Sequence, residues 1–165
     1  MEIIYASQSL FKSFHKALDQ VAKEQVYIEM IEAKPFAEVE QFQQKLINNN
    51  WPAYYAVSDG RVVGWADITP ASSPRQAHRG FLGMGVIKDV RGQRIGSQLI
   101  KRALEHSKDH GLEKVELSVY TENLNAINLY RKFGFSEIGV IKHYRKLKDR
   151  YFDSLEMELF FDKPS

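Results

Sequence analysis

The chain is 165 residues long, carries a formal net charge of +2 and contains no cysteine. Without cysteine it can form neither a disulfide nor a thiolate zinc site, and it has no thiol nucleophile. Two surplus positive charges do not indicate a nucleic-acid partner, because such a partner needs a concentrated basic face. The length predicts one compact domain over residues 1–165, and the lack of a long apolar run predicts a soluble, cytoplasmic protein with no membrane or targeting segment.

The first half of the chain predicts a strand, two helices and a hairpin. Apolar residues recur at helical spacing in two stretches, the second of which follows Pro35, a residue that suits the first turn of a helix. Further on, Asp59-Gly60 suits the positive backbone angles of a type I′ turn. The predicted elements are a strand at 3–6, helices from Leu10 to Val21 and from Phe36 to Leu46, and strands at 54–58 and 61–68.

The second half predicts alternating strands and helices after a loop at 70–80. Gly111 and Gly134 mark the ends of two helices, and Asn123 can cap the start of the second. The predicted elements are strands at 81–88, 115–120, 136–146 and 151–161, with helices starting at Gln93 and at Asn123. This order predicts an α/β domain with a mixed sheet covered on both faces.

The segment from Val86 to Ser97 runs from a strand through a glycine-bearing turn into an amphipathic helix. A helix N-terminus has backbone N–H groups without intrahelical partners and the positive end of the helix dipole, so this turn suits a pyrophosphate. Arg91 and Arg94 add positively charged guanidinium groups, whose paired N–H donors suit phosphate oxygens. The turn is neither a P-loop nor a GxGxxG dinucleotide turn.

A second segment, from Asn123 to Phe135, carries Asn-x-x-Ala-x-x-x-Tyr-x-x-x-Gly-Phe. Together with Arg91 to Gly96, which matches a Gln/Arg-x-x-Gly-x-Gly/Ala turn, it resembles the Gcn5-related N-acetyltransferases, the GNAT family. One position departs from the family pattern, since Arg94 occupies the first motif glycine. Arginine does not take positive backbone angles freely, so Arg94 is expected within the first helical turn, where it can still reach a phosphate.

The resemblance implies a GNAT-like three-layer domain with a central, mostly antiparallel sheet. It implies an acetyl-CoA-dependent N-acetyltransferase that moves an acetyl group by direct attack to the primary amine of a small molecule, an amino acid or a related amine. Main-chain groups of the strand around Met84 are expected to pair with the pantetheine arm. The implied coenzyme-binding residues are Met84, Gly85, Val86, Arg91, Gly92, Gln93, Arg94, Ile95, Gly96, Ser97, Asn123 and Tyr130.

Acetyl transfer also needs a proton donor for the leaving sulfur and a proton acceptor for the amine. By the resemblance Tyr130 is the general acid, since a phenol is protonated at neutral pH. His78 and Glu116 are the candidate bases, and no metal is predicted. Core or hairpin roles are the first interpretation of Trp65, Asp67 and Tyr144. The alternative is that they line an acceptor pocket, with Asp67 attracting an ammonium group.

Several alternatives remain open at this stage. The acceptor can be a protein N-terminus or a lysine, and the chain can be a non-catalytic acyl-CoA-binding module. The basic run from Lys142 to Arg150 is interpreted as a solvated hairpin, with nucleic-acid binding as the weaker alternative. The predicted partners are a small-molecule amine or a protein N-terminus and, as an option, a second copy in a homodimer, with no nucleic acid and no membrane.

Overall fold

A computed structural model of the chain describes residues 1–162. Its centre is one seven-stranded sheet with the strand order β1-β2-β3-β4-β5-β7-β6. The strands are β1 (Glu2–Tyr5), β2 (Ala53–Ser58), β3 (Arg61–Pro70), β4 (Arg79–Val86), β5 (Lys114–Tyr120), β6 (Ser136–Leu147) and β7 (Arg150–Phe160). The α-helices are α1 (Phe11–Lys23), α2 (Phe36–Asn48), α3 (Ile95–Asp109) and α4 (Leu124–Lys132).

Local sequence explains the turns and helix ends that shape this sheet. Asp59 and Gly60 both have positive φ, of 49° and 72°, as a type I′ turn between β2 and β3 requires. The side chain of Asn123 caps α4 by accepting a hydrogen bond from the N–H of Ala126 at 3.3 Å. Gly111 and Gly134 follow α3 and α4 with φ of 93° and 96°, which glycine adopts without steric cost.

Two hydrophobic cores lie on opposite faces of the sheet. On one face α1 and α2 pack against Tyr55 and Trp65. On the other face α3 and α4 pack against Ala66 and Ile68. Residues adjacent in β3 therefore serve different cores, as the alternation of side chains along a strand dictates. The result is a three-layer α/β domain with a mostly antiparallel sheet, and the predicted fold class is confirmed.

The functional geometry depends on the single parallel pair in this sheet, β4 with β5. Their pairing covers Arg79 to Phe81 against Lys114 to Glu116 and then stops, although both strands continue. From Leu82 onward β4 stays paired with β3 on its other side. The two central strands therefore diverge, and a V-shaped opening forms in the middle of the sheet.

The strands and α-helices follow the sequence prediction in order and type, with small shifts at their boundaries; β4, for example, begins at Arg79 and α3 at Ile95. The short 3₁₀ helices Gln8–Leu10, Pro74–Gln76 and Lys88–Val90 were not predicted. The predicted single domain extends to residue 165, but residues 163–165 lie outside the described residues. No helix within residues 1–162 is long and apolar enough to cross a membrane.

Candidate active site

A cleft of about 640 Å³ occupies the opening between β4 and β5. Its volume falls in the range of small-molecule and cofactor sites. One end lies at the turn before α3, the middle follows β4 and the start of α4, and the other end reaches the segment after α1 and the C-terminal strands. Its lining includes Tyr27, Glu29, Gly83, Met84, Gly92, Arg94, Gly96, Ser118, Tyr120, Asn123, Tyr130 and Tyr144.

The turn before α3 presents a row of free backbone donors to the cleft. Within residues 1–162, the N–H groups from Gly92 to Ser97 donate no hydrogen bond, and the first helical bond runs from Gln98 N–H to the carbonyl of Arg94 at 3.3 Å. Consecutive unpaired N–H groups at a helix N-terminus form an anion-binding concavity. This row of donors suits a diphosphate, which is the ligand that the sequence predicts here. All residues of the row line the cleft except Gln93, which is exposed to solvent.

Arg94 lies just before α3 and not within its first turn, which corrects the expectation from sequence. Its φ of 60° and ψ of 20° are left-handed, a conformation that costs a non-glycine residue about 1–2 kcal/mol. The backbone thus keeps the shape that glycine would give this motif position. The Arg94 side chain is exposed, lines the cleft and makes no hydrogen bond within the described residues, so its charge is available to an anion.

Arg91 has a different environment from the one predicted for a phosphate ligand. Its Nη1 and Nη2 donate to the Glu24 carboxylate at 2.8 and 2.5 Å, and its Nε donates to the Val86 carbonyl at 2.9 Å. The guanidinium also stacks 4.4 Å from the ring centre of Tyr27. Arg91 therefore ties the segment after α1 to the turn before α3, and this geometry does not support a direct phosphate contact.

Gly85 of β4 serves the packing of the sheet face that α1 and α2 cover. The register of β3 with β4 is uninterrupted from Gly64 to Pro70, so neither Gly83 nor Gly85 marks a bulge. A Cβ on Gly85 would lie 2.4 Å from the Trp65 indole, whose ring fills that space. Trp65 is accordingly a buried core residue and not part of the cleft lining.

Tyr130 and Asn123 lie together in the wall of the cleft on α4 and its cap. Tyr130 is buried and packs edge-on against Phe135, with ring centres 5.9 Å apart. No residue in 1–162 forms a hydrogen bond with its hydroxyl. Burial raises the pKa of Tyr130 above its usual value, so the phenol is protonated throughout the neutral range.

The two bases predicted from sequence lie outside the cleft. His78 is exposed and precedes β4, at the end where β4 and β5 are still paired and away from their opening. The Glu116 carboxylate is held by the Arg79 guanidinium at 2.5 and 3.0 Å. Because this hydrogen bond with Arg79 lowers the pKa of Glu116, the carboxylate is a weak proton acceptor, and the geometry supports neither assignment.

Sequence reasoning missed a buried polar cluster that lies behind Tyr120, a residue that lines the far end of the cleft. Arg145, in the basic run, is buried and not solvated, and its guanidinium lies 5.5 Å from the ring centre of Tyr120. Its Nη1 donates to the Gln25 carbonyl at 3.3 Å. Its Nη2 and the Tyr120 hydroxyl are the two buried side-chain polar atoms without a hydrogen-bond partner among residues 1–162.

A break in the pairing of β6 with β7 explains why this burial was not predicted. The register shifts between Ile141 and Arg145, and His143 in the gap has a left-handed φ of 52°. The His143 N–H donates to the Asp153 carboxylate at 2.8 Å, which stabilises the bulge. Nothing in the run of basic residues signals an inward-facing arginine, so only the folded sheet identifies it.

Comparison with known proteins agrees with this geometry. Residues 16–135 match the Acetyltransferase (GNAT) family. The chain belongs to this family, which confirms the resemblance, the acyltransferase class and acetyl-CoA as the donor that the class uses.

Two curated relatives indicate the range of acceptors within the family. The N-alpha-acetyltransferase MAK3 of Arabidopsis thaliana is 32% identical over 117 residues, covering 69% of this chain and 60% of that protein. The L-amino acid N-acetyltransferase AaaT of Escherichia coli (strain K12) is 27% identical over 146 residues, covering 87% of this chain and 90% of that protein. The chain thus spans only part of the first relative's length and most of the second's.

Solved structures share the fold at low sequence identity. A ribosomal-protein-alanine N-acetyltransferase from Brucella melitensis superimposes with a TM-score of 0.91 at 21% identity, covering 98% of this chain and 100% of that chain. The acetyltransferase yncA from Salmonella typhimurium, solved with acetyl-CoA, gives a TM-score of 0.93 at 16% identity, covering 100% of this chain and 96% of that chain. At these identities the likeness shows the fold.

Proposed function

We propose that this chain is an acetyl-CoA-dependent N-acetyltransferase whose acceptor is the primary amine of a small molecule that carries a carboxylate, an amino acid or a close analogue. We also propose that residues 1–165 act as one catalytic domain. The observation that carries the proposal is the continuity of the cleft. One opening joins the free amide row before α3, the diverging edge of β4 and the Tyr130 side chain.

The donor end of this cleft suits a diphosphate on both geometric and electrostatic grounds. The N–H groups of Gly92 to Ser97 have no other partner within the described chain, and Arg94 adds a charge beside them. Gly96 lies so close to α4 that a Cβ would come within 3.1 Å of Leu129, which brings the donor row next to the helix that carries Tyr130. The bound thioester supplies an acyl carbon that a neutral amine can attack.

Tyr130 acts as the proton donor to the leaving sulfur in this proposal. It lies in the cleft wall on α4, and its hydroxyl is not committed to another group in residues 1–162. A positioned general acid of this kind contributes about 10²–10⁴-fold to a rate.

The acceptor end supports a substrate that carries a carboxylate. The buried Arg145 guanidinium and the Tyr120 hydroxyl each have an unused polar atom, and a carboxylate would satisfy both. The match to an L-amino acid N-acetyltransferase, which extends over 90% of that protein, agrees with this choice.

The decisive experiment measures thiol release from acetyl-CoA with matched acceptors. Each L-amino acid is paired with its own amide, which has the same amine but lacks the carboxylate. We expect turnover with amino acids and at least tenfold lower kcat/KM with their amides, since a charge-assisted hydrogen bond contributes about 1.5–3 kcal/mol. Hydrolysis in the absence of acceptor is subtracted.

Two further acceptors test the competing functions. Peptides with a free N-terminus represent the activity of the N-alpha-acetyltransferase relatives, and N-blocked peptides with one lysine represent lysine acetylation. Preference for either peptide over every amino acid would replace the proposed acceptor. Coenzyme binding in calorimetry without turnover of any acceptor would indicate a non-catalytic acyl-CoA-binding module.

A further inference from the structure

Asp67 lies at the point where the central strands separate. It is paired in register with Gly83 across β3 and β4, and Gly83 is two residues beyond Phe81, the last residue of β4 that pairs with β5. Side chains directly opposite each other in an antiparallel pair share a face of the sheet. Asp67 therefore projects beside the apex of the V-shaped opening.

Gly83 is the cleft-lining residue that lies against the Asp67 carboxylate, which is not itself among the lining residues. A Cβ built on Gly83 would lie 3.6 Å from Asp67 Oδ1, and Gly83 itself lines the cleft. Asp67 is partly exposed, and no group in residues 1–162 donates a hydrogen bond to its carboxylate or forms an ion pair with it. This is unusual for a partly buried carboxylate, which normally has a donor or a cation beside it.

The elements around Asp67 supply little charge. Tyr55 on β2 is the titratable group that interacts electrostatically with Asp67. The Tyr55 hydroxyl already donates a hydrogen bond to Gln43 of α2 at 2.6 Å. The face of α1 over this part of the sheet is apolar, with Phe14 and Val21 buried there. On the β4 and β5 side, Arg79 and Glu116 neutralise each other. Burial in this apolar setting raises the pKa of Asp67 to about 7.

We propose that Asp67 is the catalytic base of this enzyme, accepting a proton from the acceptor ammonium at the apex of the opening between β4 and β5. The proposal rests on the function proposed above and identifies the proton acceptor that its chemistry requires. His78 and Glu116 lack this position, whereas Asp67 is a free carboxylate beside the cleft. A base that titrates near the working pH is also the most effective one.

The proton transfers balance as follows. Asp67 takes one proton from the acceptor ammonium and leaves a neutral amine. The amine nitrogen bonds to the acyl carbon as the carbon–sulfur bond breaks, and Tyr130 gives its hydroxyl proton to the departing sulfur. The second proton lost by the nitrogen restores the Tyr130 hydroxyl. Asp67 then releases its proton to solvent, so one proton appears for each acetyl group transferred.

The test compares Asp67→Asn with Glu116→Gln, a matched removal of charge from the neighbouring strand. We expect Asp67→Asn to lower kcat by about 10²-fold or more, and Glu116→Gln to change it by less than about twofold. In the wild type kcat/KM should stop rising through ionisation of Asp67 above pH of about 7, because kcat/KM reports the pKa of the free enzyme. In Asp67→Asn it should keep rising with pH as the fraction of neutral amine increases. Equal kcat and an unchanged pH profile in Asp67→Asn would overturn the proposal.

A second variant tests access to the carboxylate without removing it. Gly83→Ala places a methyl group in ordinary contact with Asp67 Oδ1, and Gly139→Ala, where the added group meets open space, is its control. Further desolvation raises the pKa of an acid, so the rise of kcat/KM in Gly83→Ala should move to higher pH. A profile identical to that of Gly139→Ala would contradict the position assigned to Asp67.

A measurement without coenzyme separates this proposal from the proposed function. Carboxyl-labelled aspartate should give one carbon resonance that titrates near pH 7 in the wild type and is missing from Asp67→Asn. If the wild type turns over and Asp67→Asn has the same activity, the role of Asp67 as base is rejected and the acetyltransferase function is retained. A wild type inactive with every amine would reject both, even if the carboxyl group titrates as expected.

Discussion

The two ends of the cleft are built in different ways. The donor end is one continuous stretch, in which Gly92 to Ser97 supply backbone N–H groups from a single turn. The acceptor end is assembled from the segment after α1 and from three strands distant in sequence, with Gln25, Tyr120 and Arg145 in contact. A backbone site tolerates side-chain changes, whereas a site made of side chains depends on each of them. In the proposed function, coenzyme binding therefore depends on the donor end and the choice of acceptor on the other end.

The variant expected to have the largest effect lies where the two ends meet. Tyr130→Phe removes the hydroxyl and keeps the buried ring that packs against Phe135. We expect kcat to fall by about 10²-fold, while the Kd for acetyl-CoA in calorimetry changes by less than about twofold. Full activity in Tyr130→Phe would remove the general acid from the mechanism and leave the two ends without this catalytic link.

A change at the acceptor end should leave the donor end intact. Arg145→Met replaces the buried guanidinium by an apolar side chain of similar length, which a buried site accepts well. We expect KM for amino acids to rise by about 10–100-fold, as for loss of a charge-assisted hydrogen bond. Amino acid amides serve as the internal control, because their KM should barely change. An equal rise for both acceptors would mean that Arg145 has only a structural role.

Arg91 and Glu24 connect the two ends, so breaking their ion pair tests whether the ends are coupled. Both side chains are partly buried, at 29% and 24% exposure, and the pair is bidentate. We expect Glu24→Gln to lower the free energy of unfolding by about 1–2 kcal/mol in urea titrations. The exposed Glu113→Gln is the control. If KM for the acceptor stays constant while stability falls, the ion pair stabilises the fold and does not shape the acceptor end.

The smallest expected effect concerns the left-handed Arg94. Arg94→Gly and Arg94→Ala remove the same charge, but only glycine relieves the backbone strain at φ of 60°. We expect the glycine variant to be more stable than the alanine variant by about 1 kcal/mol in thermal unfolding. Both should bind acetyl-CoA a few-fold more weakly than the wild type. Equal stability of the two variants would contradict the left-handed conformation.

Stability also depends on pH through Asp67. Its pKa is raised in the folded protein, so the folded state holds a proton that the unfolded state has already lost between pH 4 and about pH 7. The contribution of Asp67 to stability is therefore present at low pH and is lost as pH rises through 7. Asp67→Asn should remove this part of the pH dependence in urea titrations, with Glu116→Gln as the comparison.

The order of the elements and the position of the turn before α3 could be predicted from the sequence, because both depend on local signals. Hydrophobic periodicity fixed the order of the elements, Asp59-Gly60 fixed a turn, and the glycine-bearing turn before α3 marked the anion-binding backbone. These features involve residues close together in the chain, so the periodicity and residue types of the sequence are enough to predict them. Even there, the left-handed backbone of Arg94 and the pairing of Arg91 with Glu24 emerged only from the folded structure.

The acceptor end and the proposed proton acceptor depend on contacts between distant segments, which the sequence pattern did not reveal. Asp67 is an ordinary strand residue in the sequence, and its free carboxylate beside the cleft depends on Gly83 across the strand pair and on where β4 leaves β5. Arg145 is one basic residue among several until the bulge in β6 and the packing of Tyr120 enclose it. Strand register and burial are set by contacts between distant segments, so neither the charge run nor the periodicity could assign these roles.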